Sequence, residues 1–311
     1  MRSVPLGPSG PSVPAVVAGM MRIDGKSDTD VRELYAAARS ADIDFFDHAD
    51  IYGRELHSAE RRFAEALRLS PSERAEIRLQ TKAGIVPGGP YFDFSYDHIV
   101  SSVEASLRAL ETDYIDVLLL HRPDALVEPD EVARAFDELE TAGKVRAFGV
   151  SNHTPRQIDL LRTAVRQPIV ANQVQLSIVH APLLTQGLAM NMEGTAQSTV
   201  LDGGGLVDYC RVQNITLQAW SPLQGTRGDG VFLGSPTYAE LNAVIDEVAA
   251  RYRVSPLAIA VAWIGRHPAG MQVVVGTTTP SRLGEAAAGA DIVLTRAEGY
   301  SISRAAGYIV P

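Results

Sequence analysis

The sequence predicts a (β/α)8 barrel of the TIM type, formed as a single domain over residues 1–311, and three observations carry that reading. Eight short aliphatic or β-branched runs alternate with longer amphipathic segments. The runs are nearly continuous in apolar residues, "YIDVLLLHRPD" (114–124) most clearly, as expected of strands covered on both faces. Eight such repeats suit a closed barrel better than an open doubly wound sheet, which needs fewer strands.

The first dozen residues are rich in Pro, Gly and Ser and read as an irregular lead-in, with room for a short hairpin. "VPAVVAGM" (13–20) is the first strand, with "TDVRELYAAARS" as the helix after it. "IDFFDHA" (43–49) and "SAERRFAEALRL" form the second pair, and "EIRLQTKAG" (76–84) and "YDHIVSSVEASLRAL" the third. In the third helix Ile99, Val103, Leu107 and Leu110 fall on one face at helical spacing. "YIDVLLLHRPD" precedes "EVARAFDELETAG", whose Gly143 suits a helix C-terminus. "KVRAFGVSN" (144–152) leads to "TPRQIDLLRTAV", with Pro155 in the first turn, where its missing N–H costs nothing. "PIVANQVQL" (168–176), "NITLQAWSPL" (214–223) and "MQVVVGTT" (271–278) complete the strands. Two helical segments, 238–254 and 255–268, lie between the last two. Connections 179–206 and 221–238 exceed the usual length, and loops of that size are commonly functional or mobile.

Composition narrows the class. With 46% hydrophobic residues and a mean hydropathy of +0.01, a large core is easily built. A formal charge of −9 without a Lys/Arg block argues against nucleic acid or an anionic membrane as partner. Cys210 is the single cysteine, which excludes an intrachain disulfide and a cysteine-rich metal site. No stretch approaches 18 uninterrupted apolar residues and the N-terminus lacks a signal-peptide pattern, so a cytoplasmic protein is the expectation.

In a barrel the chemistry gathers at the C-terminal ends of the strands. Those ends carry Asp47, His48, Asp50 and Tyr52, then Lys82, His121 and Arg122, Ser151 and Asn152. They continue with Asn172, Gln173 and Gln175, then Trp220 and Ser221, and finally Gly276, Thr277, Thr278 and Thr279. Taken singly each has an ordinary use: Asp47 as a cap, Tyr52 as a half-buried aromatic, Lys82 as a solvated loop lysine, His121 as a structural histidine. Together they describe acid catalysis on a carbonyl. A phenol of ordinary pKa, about 10, donates poorly at neutral pH unless a cation favours its phenolate. Lys82 is the candidate cation, Asp47 its ion-pair anchor, and His121 a hydrogen-bond donor to the substrate oxygen.

Two other uses compete for these residues. His48, Asp50 and His121 are zinc or iron ligand types, but no His-x-His strand end or His-Glu-x-x-His helix is present, and a central lysine repels a cation. No metal is therefore expected. A Schiff-base lysine at Lys82 suits a lyase, and leaves Trp220 and the polar ends of the fifth and sixth strands without a purpose. A nicotinamide cofactor gives them one, since its flat ring needs a stacking surface and amide hydrogen bonds. No Gly-x-Gly-x-x-Gly follows a strand, so a dinucleotide would need another cradle. "GTTTPSR" (276–282) offers one: small residues at a strand end, a helix N-terminus and an arginine one turn in.

These motifs resemble those of the aldo-keto reductase family. "DHADIYG" is similar to the family's D-x-A-x-x-Y-G signature, "QTK" to its lysine segment, and "SLRALETDYIDVLLLHRPD" to its helix-plus-histidine signature. "GKVRAFGVSN", "NQVQLS", "AWSPLQG" and "VVVGTTTPSRLGEA" follow in the family's order, so the resemblance spans about residues 16–286. It is strongest to a bacterial branch of poorly characterised oxidoreductases that share "FDHADIYG" and "HRPD". The resemblance implies a barrel of the aldo-keto reductase type and reduction of aldehydes or ketones with NADPH. It also implies a catalytic tetrad of Asp47, Tyr52, Lys82 and His121, with Tyr52 as general acid and Lys82 lowering its pKa. Ser151, Asn152 and Gln173 would take the carboxamide, and Trp220 would stack on the nicotinamide. Met20, Ser221, Leu223, Gly225, Gly276, Thr277, Thr278, Arg282 and Glu285 would hold the rest of the cofactor.

The departures from the family matter too. Gly276 stands where many relatives have a lysine for the 2′-phosphate, and Ala286 where an asparagine meets the adenine. Arg282 remains, so NADPH (NADP+) is preferred and NADH stays possible. His48 replaces a threonine or serine and is read as packing. Met20, Met21, Arg22, residues around Phe92 and Phe94, the loop after His121 and Tyr308 are expected to shape the substrate pocket, and 187–205 either borders it or forms a surface excursion. A small carbonyl compound is the expected partner and a monomer or small homo-oligomer the expected state. The alternative function is a cofactor-binding regulatory subunit, as in the channel-associated relatives of the family.

Overall fold

Strands apolar on both faces need cover on both, and a closed sheet provides an interior for one of them. The computed structural model describes residues 1–89, 91–189, 192, 195, 197, 205–226 and 229–311. In it the eight segments read as strands contain β1 (Val16–Gly19), β2 (Phe45–Asp47), β3 (Arg78–Ala83) and β4 (Val117–Leu120). The other four are β5 (Phe148–Ser151), β6 (Ile169–Gln175), β7 (Thr216–Trp220) and β8 (Gln272–Val275). Each pairs in parallel with its sequence neighbours, and β8 returns to β1 with Val273 opposite Val16, so the barrel has no open edge.

The regular (β/α)8 TIM barrel expected from the sequence is corrected here. What the structure shows is a closed barrel of eight parallel strands whose connections do not repeat one helix per strand. Two helices follow β2 (Ser58–Leu67 and Pro71–Ala75), and a small antiparallel hairpin (Ile85–Val86 with Tyr91–Phe92) precedes the helix Tyr96–Ala109 after β3. After β7 come Ala239–Tyr252 and Pro256–Gly265 in tandem, and after β8 Ser281–Ala290 and Arg296–Ala305. Apolar periodicity reports which faces are buried. It also marked the tandem pair after β7, but not the short helix Pro71–Ala75 or the small hairpin, whose places are set by how those connections pack back on the barrel.

Local chemistry explains the element ends. Ser27, Ser70, Thr154 and Thr295 each accept from the third helical residue's N–H while that residue's side chain returns a bond, a reciprocal cap that satisfies two orphan donors. Helix Pro256–Gly265 is buried from Leu257 to Gly265, and Gly289 of the next helix lets the two approach closely. A Cβ at Gly289 would lie 2.3 Å from the Ala258 carbonyl oxygen.

The lead-in forms an antiparallel hairpin, Ser3–Pro5 with Ser12–Pro14, beneath the N-terminal ends of the strands. Gly7 N donates to Thr216 Oγ1 at 2.8 Å, and Gln272 Nε2 donates to Pro14 O at 2.8 Å. Both acceptor and donor side chains come from the first residue of a barrel strand, so the hairpin closes the end opposite the polar rim.

Candidate functional site

Parallel strands in sequential order bring all their C-terminal ends to one rim. Asp47 ends β2, Lys82 is the penultimate residue of β3, and His121 follows β4 directly. Ser151 ends β5, Gln173 lies on β6, Trp220 ends β7, and Gly276 follows β8. Tyr52 stands on the loop after β2, whose turn is completed by Gly53 at φ +103°. That conformation suits glycine, and an added Cβ would also lie 2.0 Å from Ser58 Oγ.

Lys82 is completely buried. Its Nζ lies 2.7 Å from each Asp47 carboxylate oxygen, 2.7 Å from His48 O and 3.2 Å from Tyr52 Oη. Burial alone would neutralise such a lysine, but the Asp47 carboxylate reverses that and holds its pKa above the ordinary value. For Tyr52 burial wins: the phenol is raised above its usual range, with Lys82 pulling in the opposite direction. Lys82 thus opposes the rise without reversing it, and the net lowering of the Tyr52 pKa expected from the sequence does not result. The phenol is firmly protonated at rest, with a cation in place to stabilise negative charge on its oxygen. His121 packs edge-on to Tyr52, ring centroids 5.9 Å apart. Burial, then Lys82 and Arg122, depress its pKa well below the usual histidine value, so the imidazole is neutral. Its Nδ1 is buried without a partner among the described residues, and the residue lies on the cavity wall.

These groups open on a cavity of about 640 Å³. Of the residues singled out in the sequence, its walls include Asp47, Tyr52, His121, Ser151, Asn152, Gln173, Trp220, Ser221, Leu223, Gly276, Thr277, Thr278 and Arg282. Lys82 sits behind Tyr52. Met20, Gly225 and Glu285 do not line the cavity, although Gly19, Met21 and Arg22 do. Met20 is buried in the core, and Gly225 donates its N–H to Gly230 O. Phe94 is buried and stacks on His153, Phe92 is exposed on the small hairpin, and Tyr308 Oη accepts from Ala181 N, so none of the three lines the cavity either. Most of 187–205 lies outside the described residues.

The hydrogen bonds around Trp220 define what the wall offers. Trp220 Nε1 donates to Asn152 Oδ1 at 3.0 Å, and Asn152 Nδ2 donates to Ser151 Oγ at 2.7 Å. Ser151 Oγ in turn donates to Gln173 O at 2.9 Å. Asn152 keeps one amide hydrogen, and Gln173 Oε1 accepts from no described residue. A donor and an acceptor beside a half-buried indole match a flat group carrying a carboxamide. Arg22 Nη1 donates to Gly276 O at 2.6 Å, joining the segments that follow the first and last strands.

His48 and Asp50 sit behind the site rather than in it. Both ring nitrogens of His48 lack partners among the described residues, its ring packs edge-to-face with Phe63 at 4.8 Å between centroids, and burial lowers its pKa to about 4. Burial, helped by Glu60, raises Asp50 to about 7. Sequence reasoning missed Glu60, a fully buried carboxylate accepting from Thr81 Oγ1 (2.5 Å), Ser106 Oγ (3.1 Å) and His57 Nδ1 (2.7 Å). Its place in "SAERRFAEAL" is an ordinary exposed helical position by composition, so nothing local marks it. Among the described residues no group of three or more His, Cys, Asp or Glu is arranged to hold a metal ion, and no helix is long and apolar enough to cross a membrane.

The comparisons with known proteins agree with this geometry. A family model described as the aldo/keto reductase family matches residues 15–305. The chain is 35% identical over 309 residues to the uncharacterized oxidoreductase YcsN of Bacillus subtilis, covering 95% of each chain. It is 34% identical over 293 residues to a 6-dehydroglucose reductase of Agrobacterium fabrum, covering 90% of each. The solved structure of the thermostable aldo-keto reductase Tm1743, in complex with the inhibitor epalrestat, shares the fold with a TM-score of 0.77 at 23% identity. That superposition covers 98% of this chain and 100% of the other. A match over nearly the whole length, with the signature residues gathered on one cavity wall, shows that this chain belongs to the aldo/keto reductase family.

Proposed function

We propose that this protein is an NADPH-dependent reductase of aldehydes or ketones, with Tyr52 as the general acid. The observation that carries the reading is the placement of the Tyr52 phenol between the cavity and a buried Lys82 cation held by Asp47. The cavity fits the cofactor the family implies. Trp220 supplies the flat surface, Asn152 and Gln173 the complementary donor and acceptor, and Ser151 holds Asn152 in place. Helix Ser281–Ala290 starts at Pro280 without a side-chain cap; the backbone N–H groups of Arg282 and Leu283 are taken by Thr279 O and Pro280 O, so the Ser281 N–H and the Arg282 guanidinium are the donors offered to phosphate oxygens. Arg282, with its fork of donors, favours NADPH over NADH. When bound, the nicotinamide supplies hydride to the carbonyl carbon.

The protein's own residues manage the proton and the charge. His121, neutral, donates from Nε2 to the carbonyl oxygen and fixes its direction. Tyr52 gives its proton to that oxygen as negative charge develops there. Lys82 stabilises the phenolate that remains, and Asp47 keeps Lys82 charged and in place. Burial of the Lys82–Asp47 pair strengthens this control, because neither group is screened by water.

The test is to mix purified protein with NADPH and a panel of carbonyl compounds, and to follow absorbance at 340 nm. The panel includes 6-dehydroglucose, the compound in the name of the Agrobacterium relative. Turnover, together with NADPH quenching of a tryptophan signal that is lost in Trp220→Leu, is the expected result. No turnover and no quenching with either nicotinamide cofactor overturns the proposal.

A further inference from the structure

The barrel interior beneath the site holds a chain of buried glutamines that runs from the lead-in hairpin to the candidate catalytic wall. Gln272, on β8, donates from Nε2 to Pro14 O at 2.8 Å. A backbone carbonyl only accepts, so Gln272 presents Oε1 to its other neighbour. Gln218, on β7, donates from Nε2 to that oxygen at 2.9 Å and to Gln80 Oε1 at 3.0 Å. Its own Oε1 then accepts Gln80 Nε2 at 2.9 Å and Gln173 Nε2 at 3.1 Å.

The other end of the chain enforces the same direction. Asp47 Oδ1, which only accepts when ionised, takes Gln80 Nε2 at 2.6 Å, Gln173 Nε2 at 3.0 Å and Lys82 Nζ at 2.7 Å. Acceptors at both ends leave one consistent orientation for all four amides. All four are buried, so none can reverse without leaving donors or acceptors unpaired, and each such group costs more than an ordinary hydrogen bond gains. Both hydrogens of Gln173 Nε2 are therefore engaged inside the barrel. Its Oε1 has no described partner, and Gln173 lines the cavity.

We infer that Gln80, Gln218 and Gln272 are positioning residues, an orientation lock that presents Gln173 to the cavity only as an acceptor. The group it selects carries N–H, which in the proposed function is the carboxamide of the nicotinamide, so the inference rests on that reading. Of the three, none lines the cavity, and each acts through Gln173. The same lock adds two donors to the Asp47 oxygen that anchors Lys82, tying cofactor orientation to the charge on the proton-donating wall.

Binding in the free protein tests this without turnover. Tryptophan fluorescence is titrated with NADPH and with its reduced 3-acetylpyridine analogue, in which a methyl group replaces the carboxamide NH₂. Wild type is expected to bind the analogue about tenfold more weakly, the cost of leaving a buried acceptor unpaired. In Gln218→Met, Gln173 Nε2 keeps Asp47 Oδ1 as its one remaining described acceptor, so its orientation is held less firmly and the ratio is expected to fall to about threefold or less. Gln272→Met, changed at the far end of the chain, should shift it the same way. A merely structural loss would weaken both ligands equally and leave the ratio unchanged. A wild-type ratio of one, or an unchanged ratio in the folded variants, overturns the lock while leaving the nicotinamide reading intact. If wild type binds neither ligand, both fall. Should Gln218→Met fail to fold, the Gln272→Met and wild-type ratios decide the matter.

Discussion

Lys82 Nζ lies 3.2 Å from the phenol oxygen of Tyr52, and no water reaches the lysine. The ammonium is enclosed by the Asp47 carboxylate, His48 O and Tyr52, so its charge acts on the phenol at short range and low screening. Tyr52→Phe keeps the ring and its packing while removing the proton donor. We expect carbonyl reduction to fall by about 10²- to 10⁴-fold, with NADPH affinity unchanged in a fluorescence titration. Equal losses of turnover and affinity would mean that Tyr52 serves binding instead.

Asp47→Asn is expected to be costly to the fold as well as to activity. It leaves the Lys82 charge buried opposite a neutral amide, and breaking a buried pair from one side costs about 3–5 kcal/mol. Urea denaturation at pH 7 should show a lower midpoint with little change in slope. A loss under about 1 kcal/mol would show that His48 O and Tyr52 Oη suffice to hold the lysine.

His48 makes stability sensitive to acid. Its folded pKa, lowered to about 4 by burial, lies below the unfolded value of 6.5, so protons bind preferentially to the unfolded chain between these values. The associated stability is complete above pH 6.5 and is lost as pH falls toward 4. His48→Leu removes this term, and should gain about 2 kcal/mol at pH 5 relative to its effect at pH 8. His153, lowered to about 4 by burial, gives the same sign and remains in the variant as an internal reference. Denaturation midpoints at the two pH values check it, and an equal effect at both would show His48 to be silent.

Asp50 has the opposite sign. Burial raises its folded pKa to about 7, above the unfolded 3.8, so its contribution is present below pH 3.8 and is lost as pH rises through 7. Asp50→Asn should therefore stabilise more at pH 8 than at pH 5, by about 2–3 kcal/mol. The same denaturation series measures it. A pH-independent effect would place Asp50 outside the titrating set.

Much of this site was readable in the chain because strand ends announce themselves. "FFDHADIYG" changes from apolar to titratable at Asp47, and "LLLHRPD" does so at His121, so polar strand ends are legible from alternation, while their gathering on one rim needs the closed sheet. Gln80, Gln218 and Gln272 carry no such mark. Each sits inside an apolar run, and its meaning depends on three other strands arriving at hydrogen-bond distance. Glu60 was hidden for the same reason. Met20, expected at the cofactor, is buried in the core just past the end of β1, while Met21 and Arg22, expected at the pocket, line the cavity with Gly19.

By itself, then, the sequence determined which segments are strands and which residue types stand at their ends, since both are local and follow from periodicity and composition. Tertiary structure decided that the strands close with uneven helical connections, that burial outweighs Lys82 in setting the resting Tyr52 pKa, and that four glutamines share one hydrogen-bond direction. Those outcomes depend on distances between residues far apart in the chain and on how completely water is excluded around them.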